Sequence, residues 1–241
     1  MSRDARPPTS GPRMHRKAST ASTMDDARAL AEAGAEHGTA VIADEQTAGR
    51  GRESRAWISP RGGLYMSIVL RPALPVPRWT LIPIAAGVAL HDVLIRRVAS
   101  ARLKWPNDVT ATWWEERRKL AGVLVDARPP EFAVVGVGVN ILRTGLPEVA
   151  ISMEALGADL PQGELATKVL DAVLLRVQDL EAGNDAEVRA AWEAACGMLG
   201  ERVQAEGVEG VAVGLAEDGG LVVVRDGGVR EVVRVGDVTS R

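Results

Sequence analysis

Four short stretches of this 241-residue chain set reactive side chains beside residues that let a ligand come close. The first is Gly49-Arg50-Gly51-Arg52, with Gln46 before it and Trp57 after it. Alternating glycine and arginine frees the backbone and places guanidinium forks that suit phosphate or carboxylate oxygens. The same run also reads as a solvated turn, or as an RGG-type nucleic-acid segment, although it is short, solitary and nearly free of aromatics. The second stretch, Lys104-Trp105-Pro106-Asn107-Asp108, uses proline to turn the chain and present an amide and a carboxylate at a strand end. The third, Arg118-Lys119-Leu120-Ala121-Gly122, opens an apolar strand with a lysine. The fourth, Gly136-Val137-Gly138-Val139-Asn140, puts glycines where a strand is weakened unless something must approach its backbone, then ends on a polar residue. Taken singly, the last three have plain structural explanations: a turn with a core tryptophan, a charged hairpin, and close strand packing.

Lysine usage adds a pointer. Of 29 basic residues only four are lysines, Lys17, Lys104, Lys119 and Lys168, and two of these fall in the stretches above. A chain that otherwise writes arginine has placed compact, flexible point charges there, suited to a reacting carboxylate or phosphate oxygen.

The elements that must position these residues follow from periodicity and punctuation. Residues 1–20 are polar and aperiodic and read as a disordered arm. A helix is expected over Met24–Gly38 and strands over Thr39–Ala43 and Leu64–Leu70. Thr80 is placed to cap a helix reaching about Val98. Arg102–Trp105, a hairpin of Val109–Trp114 with Leu120–Ala127, and Phe132–Ile141 complete the strands, and helices follow over Gly163–Glu181 and Asp185–Met198. The single cysteine, Cys196, falls in that last helical pattern as a small buried residue and excludes an intramolecular disulfide. Beyond about Gly197–Gly200 short β runs alternate with Gly-rich turns, which fits a small all-β barrel.

Composition bounds the rest. A net charge of −3 gives no global basic field for nucleic acid. No apolar run is long enough for a membrane span and no apolar leader opens the chain, so a cytoplasmic protein is expected.

In order, the run ADEQTAGRGRESRAWISPRGGLYMSIVLRP followed by KWPNDV, RKLAGVLVDA and VVGVGVNI resembles the biotin–protein ligase family over roughly residues 22–241. The resemblance implies an α+β fold: a mixed sheet flanked by helices, like that of class II synthetases and lipoate ligases, with a small C-terminal SH3-like β-barrel. It divides the chain into the arm 1–20, a catalytic biotin- and ATP-binding domain 21–198 and a C-terminal domain 199–241. It also implies an activity. Biotin and ATP, with Mg²⁺, would form biotinyl-5′-AMP, and the biotin would pass to a lysine of a biotin carboxyl carrier protein or domain. A lipoate or octanoate ligase on the same fold, or a non-catalytic biotin sensor, are the alternatives. With so little sequence ahead of the catalytic region, no DNA partner is expected, and homodimerisation is left open.

Position by position, the resemblance implies that Lys119, Arg50 and Arg52 are catalytic. Ser22, Thr23, Gln46, Gly49, Gly51, Gly122 and Gly136, together with those three, would contact biotin. Trp57, Lys104, Asn107, Asp108, Gly138 and Asn140 would join Arg50, Arg52 and Lys119 around ATP, with Asp108 the metal candidate. Two departures stand out. Met24 occupies the last position of a Ser-Thr-Asn-like motif, after residues 12–21 that are poor strand formers, so the family's first strand is expected to be missing or irregular. Ser54 replaces a glycine common after the GRGR run.

Overall fold

The computed structural model describes residues 14–240. Seven strands form one sheet: β1 (Met14–Lys17), β2 (Ala40–Ala43), β3 (Leu64–Leu70), β4 (Arg102–Lys104), β5 (Asp108–Trp113), β6 (Glu116–Arg128) and β7 (Phe132–Val139). Their order is β1-β2-β3-β7-β6-β5-β4, parallel between β1 and β2 and antiparallel elsewhere. The sheet is therefore mixed.

Strand alternation decides what each face does. On β7, Ala133, Val135, Val137 and Val139 point into the main core, built with helices α2 (Ile82–Leu94), α3 (Gln162–Glu181) and α4 (Asp185–Ala195). The alternate residues Phe132 and Val134 face the other way and are covered by α1 (Thr23–Glu32) through Met24, Ala27 and Ala31. Ten residues of helix span only about 15 Å. The same face of β7 continues past its end as Gly136 and Gly138, and that stretch is left open for a cavity.

A second sheet follows: β8 (Arg202–Ala205), β9 (Val208–Leu215), β10 (Leu221–Val224), β11 (Arg230–Val233) and β12 (Thr239–Ser240), ordered β11-β10-β9-β8-β12. Among the described residues it is an open ladder, not the closed barrel expected. Its inward residues Val203, Ala212, Leu221, Val223 and Val238 join the main apolar core. The Trp105 indole N–H also donates to Gly219 O at 3.1 Å, so the small sheet is fastened beside the strand end that carries Lys104.

Three expectations need correction. The arm 1–20 is ordered from Met14: β1 pairs in parallel register with β2, Met14 opposite Ala40 through Lys17 opposite Ala43. The backbone contacts continue through Thr20 N–H to Glu45 O and Ala48 N–H to Ala21 O. Poor strand formers suffice there because the pairing is made by main chain on an edge; residues 1–13 lie outside the described part. Second, Thr80 does not cap a helix. Its hydroxyl donates to Pro77 O within a 3₁₀ segment, Val76–Leu81, and α2 starts at Ile82 and stops at Leu94. Third, α4 ends at Ala195, leaving Cys196 extended beside Leu103. Its thiol is half-buried, and burial pushes its pKa up to about 11. Such a thiol is a poor nucleophile.

Candidate active site

The cavity holds about 340 Å³ and lies over the middle of the large sheet, on the face that α1 leaves uncovered. Its floor follows from strand register. One row across the sheet runs Tyr65, Gly138, Gly122, Asp108; the next runs Ser67, Gly136, Leu124. Three glycines thus meet where side chains would otherwise stand. A β-carbon on Gly138 would lie 2.5 Å from Trp57 Cε2, and one on Gly136 2.5 Å from Met24 Sδ. The floor is bare because a flat ring and a thioether lie directly on it.

At one end the floor becomes polar. Ser67 is fully buried in an otherwise apolar strand, and its hydroxyl is 2.8 Å from that of Thr23. Gln46 Oε1 accepts from the Thr23 hydroxyl and main-chain N–H at 3.1 and 2.8 Å, while its Nε2 donates to Ser59 Oγ at 2.9 Å. A connected set of donors and acceptors therefore stands at the end of an otherwise apolar slot, an arrangement that fixes the orientation of a small ligand. The other end is charged. Lys119 Nζ is 2.7 Å from Asp108 Oδ1 and 4.9 Å from the Trp57 ring centroid, so ion pair and cation–π contact hold it over the floor. Lys104 stands beside them on the cavity wall. The Trp57 indole N–H is buried and has no hydrogen-bond partner among the described residues, so a ligand acceptor there would satisfy it.

The roof is the Gly/Arg segment. Gly51 N–H donates to Arg55 O at 2.7 Å and Arg55 N–H to Arg52 O at 3.0 Å, closing a tight loop. Glu53 and Ser54 both have left-handed φ, 53° and 59°, a conformation that favours glycine. Arg50 reaches Asp25 of α1 at 2.5 Å. On the far side, Arg55 meets Asp237 at 2.5 Å and Arg52 meets it at 3.3 Å. The Asp237 carboxyl is held below the usual range, chiefly by its hydrogen bond from Arg55. Val238 and Thr239 continue the same wall.

Thr23, Gln46, Arg50, Gly51, Arg52, Trp57, Lys104, Asn107, Asp108, Lys119, Gly122, Gly136 and Gly138 all line this one cavity. Three expected site residues do not. Gly49 is bare because a β-carbon there would strike Trp57 O at 2.4 Å and Ser59 Oγ at 2.6 Å, so its role is packing of the loop on itself. Ser22 precedes α1, its main-chain carbonyl accepting from Asp26 N–H, and its hydroxyl is buried without a partner among the described residues. Asn140 is buried, its amide donating to Lys119 O and Ile151 O at 3.2 Å each. It holds the strand that carries Lys119. The Asn107 amide is likewise committed to main chain, donating to Val123 O at 2.6 Å, although Asn107 remains on the wall.

Sequence reasoning missed Ser67 and Asp237, and noted Arg55 only as a neighbour of the Gly/Arg run without giving it a role. Ser67 carried a signal, a lone hydroxyl within Leu-Tyr-Met-Ser-Ile-Val-Leu. Asp237 carried none, since only folding brings the end of the chain to this loop.

Comparison with known proteins identifies the family. Residues 17–140 match the model of the biotin/lipoate A/B protein ligase family. A biotin–[acetyl-CoA-carboxylase] ligase of Mycobacterium tuberculosis is 35% identical, over 92% of this chain and 86% of that protein. The bifunctional ligase/repressor BirA of Bacillus subtilis is 28% identical, over 88% of this chain and 69% of that protein. Among solved structures, the biotin protein ligase of Aquifex aeolicus in complex with biotin and ATP superposes with a TM-score of 0.79 at 29% identity, covering 95% of this chain and 98% of that one. With its mixed sheet, its glycine floor and its ordered motifs, this chain belongs to the biotin/lipoate A/B protein ligase family, as a biotin–protein ligase.

Proposed function

We infer that this protein activates biotin with ATP and transfers it to a lysine of a biotin carboxyl carrier protein or domain. One observation carries the reading: Lys119, paired with Asp108 and stacked on Trp57, stands at one end of a glycine-floored cavity whose far end is the Thr23–Gln46–Ser67 polar set. A slot with an apolar floor and one polar end suits a bicyclic ureido ring, and its cationic end suits a carboxylate beside a polyphosphate.

In the first step a biotin carboxylate oxygen attacks the α-phosphorus and pyrophosphate leaves. In the second, the carrier lysine amine attacks the acyl carbon of the mixed anhydride and AMP leaves. Both reactants of the first step are anions that repel, so converging positive charge and fixed alignment are what the protein must supply. Lys119 and Arg52 supply the charge, Lys104 adds to it at the phosphate end, and Trp57 keeps water from the reacting centre. Asp108 is the carboxylate on this wall that would hold Mg²⁺ carried in with the ATP phosphates, in addition to pairing with Lys119, and the ion would supply neutralisation of the charge that develops on those phosphates. We read the C-terminal sheet as an SH3-like module that completes the phosphate side of the wall.

The test is incubation with ATP, biotin and a purified carrier domain, following pyrophosphate release and biotin on the carrier by mass spectrometry. Transfer of lipoate in preference to biotin would reassign the substrate. Biotin binding without pyrophosphate release would make the protein a sensor.

A further inference from the structure

We propose that Asp237 is a positioning residue that tethers the Gly/Arg loop over the cavity through Arg55, leaving Arg52 free to turn to the acyl-adenylate. The proposal rests on the ligase reading above.

The loop is pinned at two ends. At its start Arg50 is 2.5 Å from Asp25, the second residue after the start of α1; at its finish Arg55 is 2.5 Å from Asp237, in the segment between β11 and β12. The two arginines that share Asp237 are not equivalent. Arg55 makes the short contact with Oδ2, and its guanidinium pKa is raised first by that hydrogen bond. Arg52 makes a long contact with Oδ1 at 3.3 Å and a second to Gly236 O at 3.1 Å. A phosphate oxygen competes readily with the 3.3 Å contact and poorly with the 2.5 Å one.

Asp237 itself is well placed to anchor. Gly236 before it has a φ of 88°, and Val238 after it is buried in the main core. Thr239 then pairs with Gln204 on β8. The carboxylate is thus presented next to an anchored pair, Val238 in the core and Thr239 on β12, whereas the loop it holds turns through two left-handed residues, Glu53 and Ser54. Glu53 also pairs with Arg52 and Arg55, at 3.8 and 3.2 Å, but it rides on the loop itself, so removing the Asp237 carboxylate would cut the loop's charged tie to the C-terminal part while leaving that internal pairing in place.

The measurement is dissociation of preformed biotinyl-AMP, chased with excess biotin, in full-length protein. Asp237→Asn should release the adenylate about two- to fivefold faster, the range expected of an exposed ion pair. Asp237→Glu should keep release slow, Arg55→Gln should reproduce the Asp237→Asn effect, and the double variant should add little to either. Release from the parent should also quicken with ionic strength more than release from Asp237→Asn. Unchanged or slower release in Asp237→Asn overturns the tether, as does full additivity with Arg55→Gln. A lowered melting temperature with parental release and salt dependence would assign Asp237 a structural role only and equally end the proposal. If the parent protein forms no biotinyl-AMP, the ligase reading itself fails, which is a distinct result.

Discussion

Lys119 Nζ and Asp108 Oδ1 face each other at 2.7 Å from neighbouring strands, and the lysine stem lies against the glycine floor of the cavity. The pair is one-third to one-fifth exposed, so it remains accessible to ligand. Its geometry keeps an ammonium where an anion would arrive while a carboxylate balances it beforehand.

Lys119→Met should therefore lower pyrophosphate release by about a hundredfold or more, the loss typical of a preorganised charge at a reacting centre. Lys119→Arg should not restore it, because the planar fork cannot take the place of a compact ammonium between Asp108 and Trp57. Rates from single-turnover assays, with circular dichroism to confirm folding, decide this; near-parental rates in Lys119→Met would remove the lysine from the chemistry.

The polar end of the slot should govern one substrate and not the other. Ser67→Ala and Thr23→Val each break the connected hydroxyls beside Gln46. Both should raise the KM for biotin about tenfold while leaving the KM for ATP within twofold, since one buried hydrogen bond is worth about 1–1.5 kcal/mol. Equal rises in both KM values would mean that the substitutions disturb the whole cavity.

Gly138→Ala places a methyl group 2.5 Å from a carbon of the Trp57 ring, so the ring must lift. Overpacking of this kind costs about 1–3 kcal/mol. Biotin affinity measured by calorimetry should fall about tenfold, and the variant should lose the part of its tryptophan emission that Trp57→Phe removes from the parent. An unshifted affinity would show that Trp57 does not need to lie flat on the floor.

Acid should loosen the join between the loop and the C-terminal sheet. Arg55 and, more weakly, Arg52 and Lys104 hold the Asp237 carboxyl below its unfolded value, so its contribution is complete above that value and disappears as pH falls through the folded one. The window lies below about pH 4, the ordinary carboxylate range. Thermal midpoints from pH 7 to pH 3 should fall less steeply in Asp237→Asn than in the parent. Parallel curves would show that this pair carries no pH-dependent stability.

Much of this site could be read from residue order because its chemistry is written in conspicuous misfits. Glycine in an apolar strand, lysine in an arginine-rich chain and Pro-Asn-Asp after a strand each break a local pattern and marked the stretches that hold Gly122, Gly136, Lys104, Lys119 and Asp108. Singly each had a plain structural explanation; the order of the stretches carried the family resemblance, and the fold brings these residues to one cavity. What escaped has a different physical origin. The strand Met14–Lys17 is held by main-chain hydrogen bonds at a sheet edge, so its side chains are free to look like a tail. Thr80 has the right side chain for a cap, but Pro77 and Pro83 fix the local turn around it. Asn140 and Gly49 belong to genuine motifs, yet they serve the scaffold behind the cavity. Asp237 is a tertiary fact that no local pattern encodes.

The glycine floor has a consequence for the protein as a whole. Gly122, Gly136 and Gly138 leave the centre of the large sheet without one of its two layers of packing, patched by a tryptophan and a methionine. A ligand packed against that tryptophan and methionine completes an interior that the chain alone leaves unfinished. Occupancy is thus coupled to folding, and the resistance of this protein to heat or proteolysis will track the supply of its substrates through RT ln(1 + [L]/Kd). An enzyme so built persists longest in a cell that has something for it to attach.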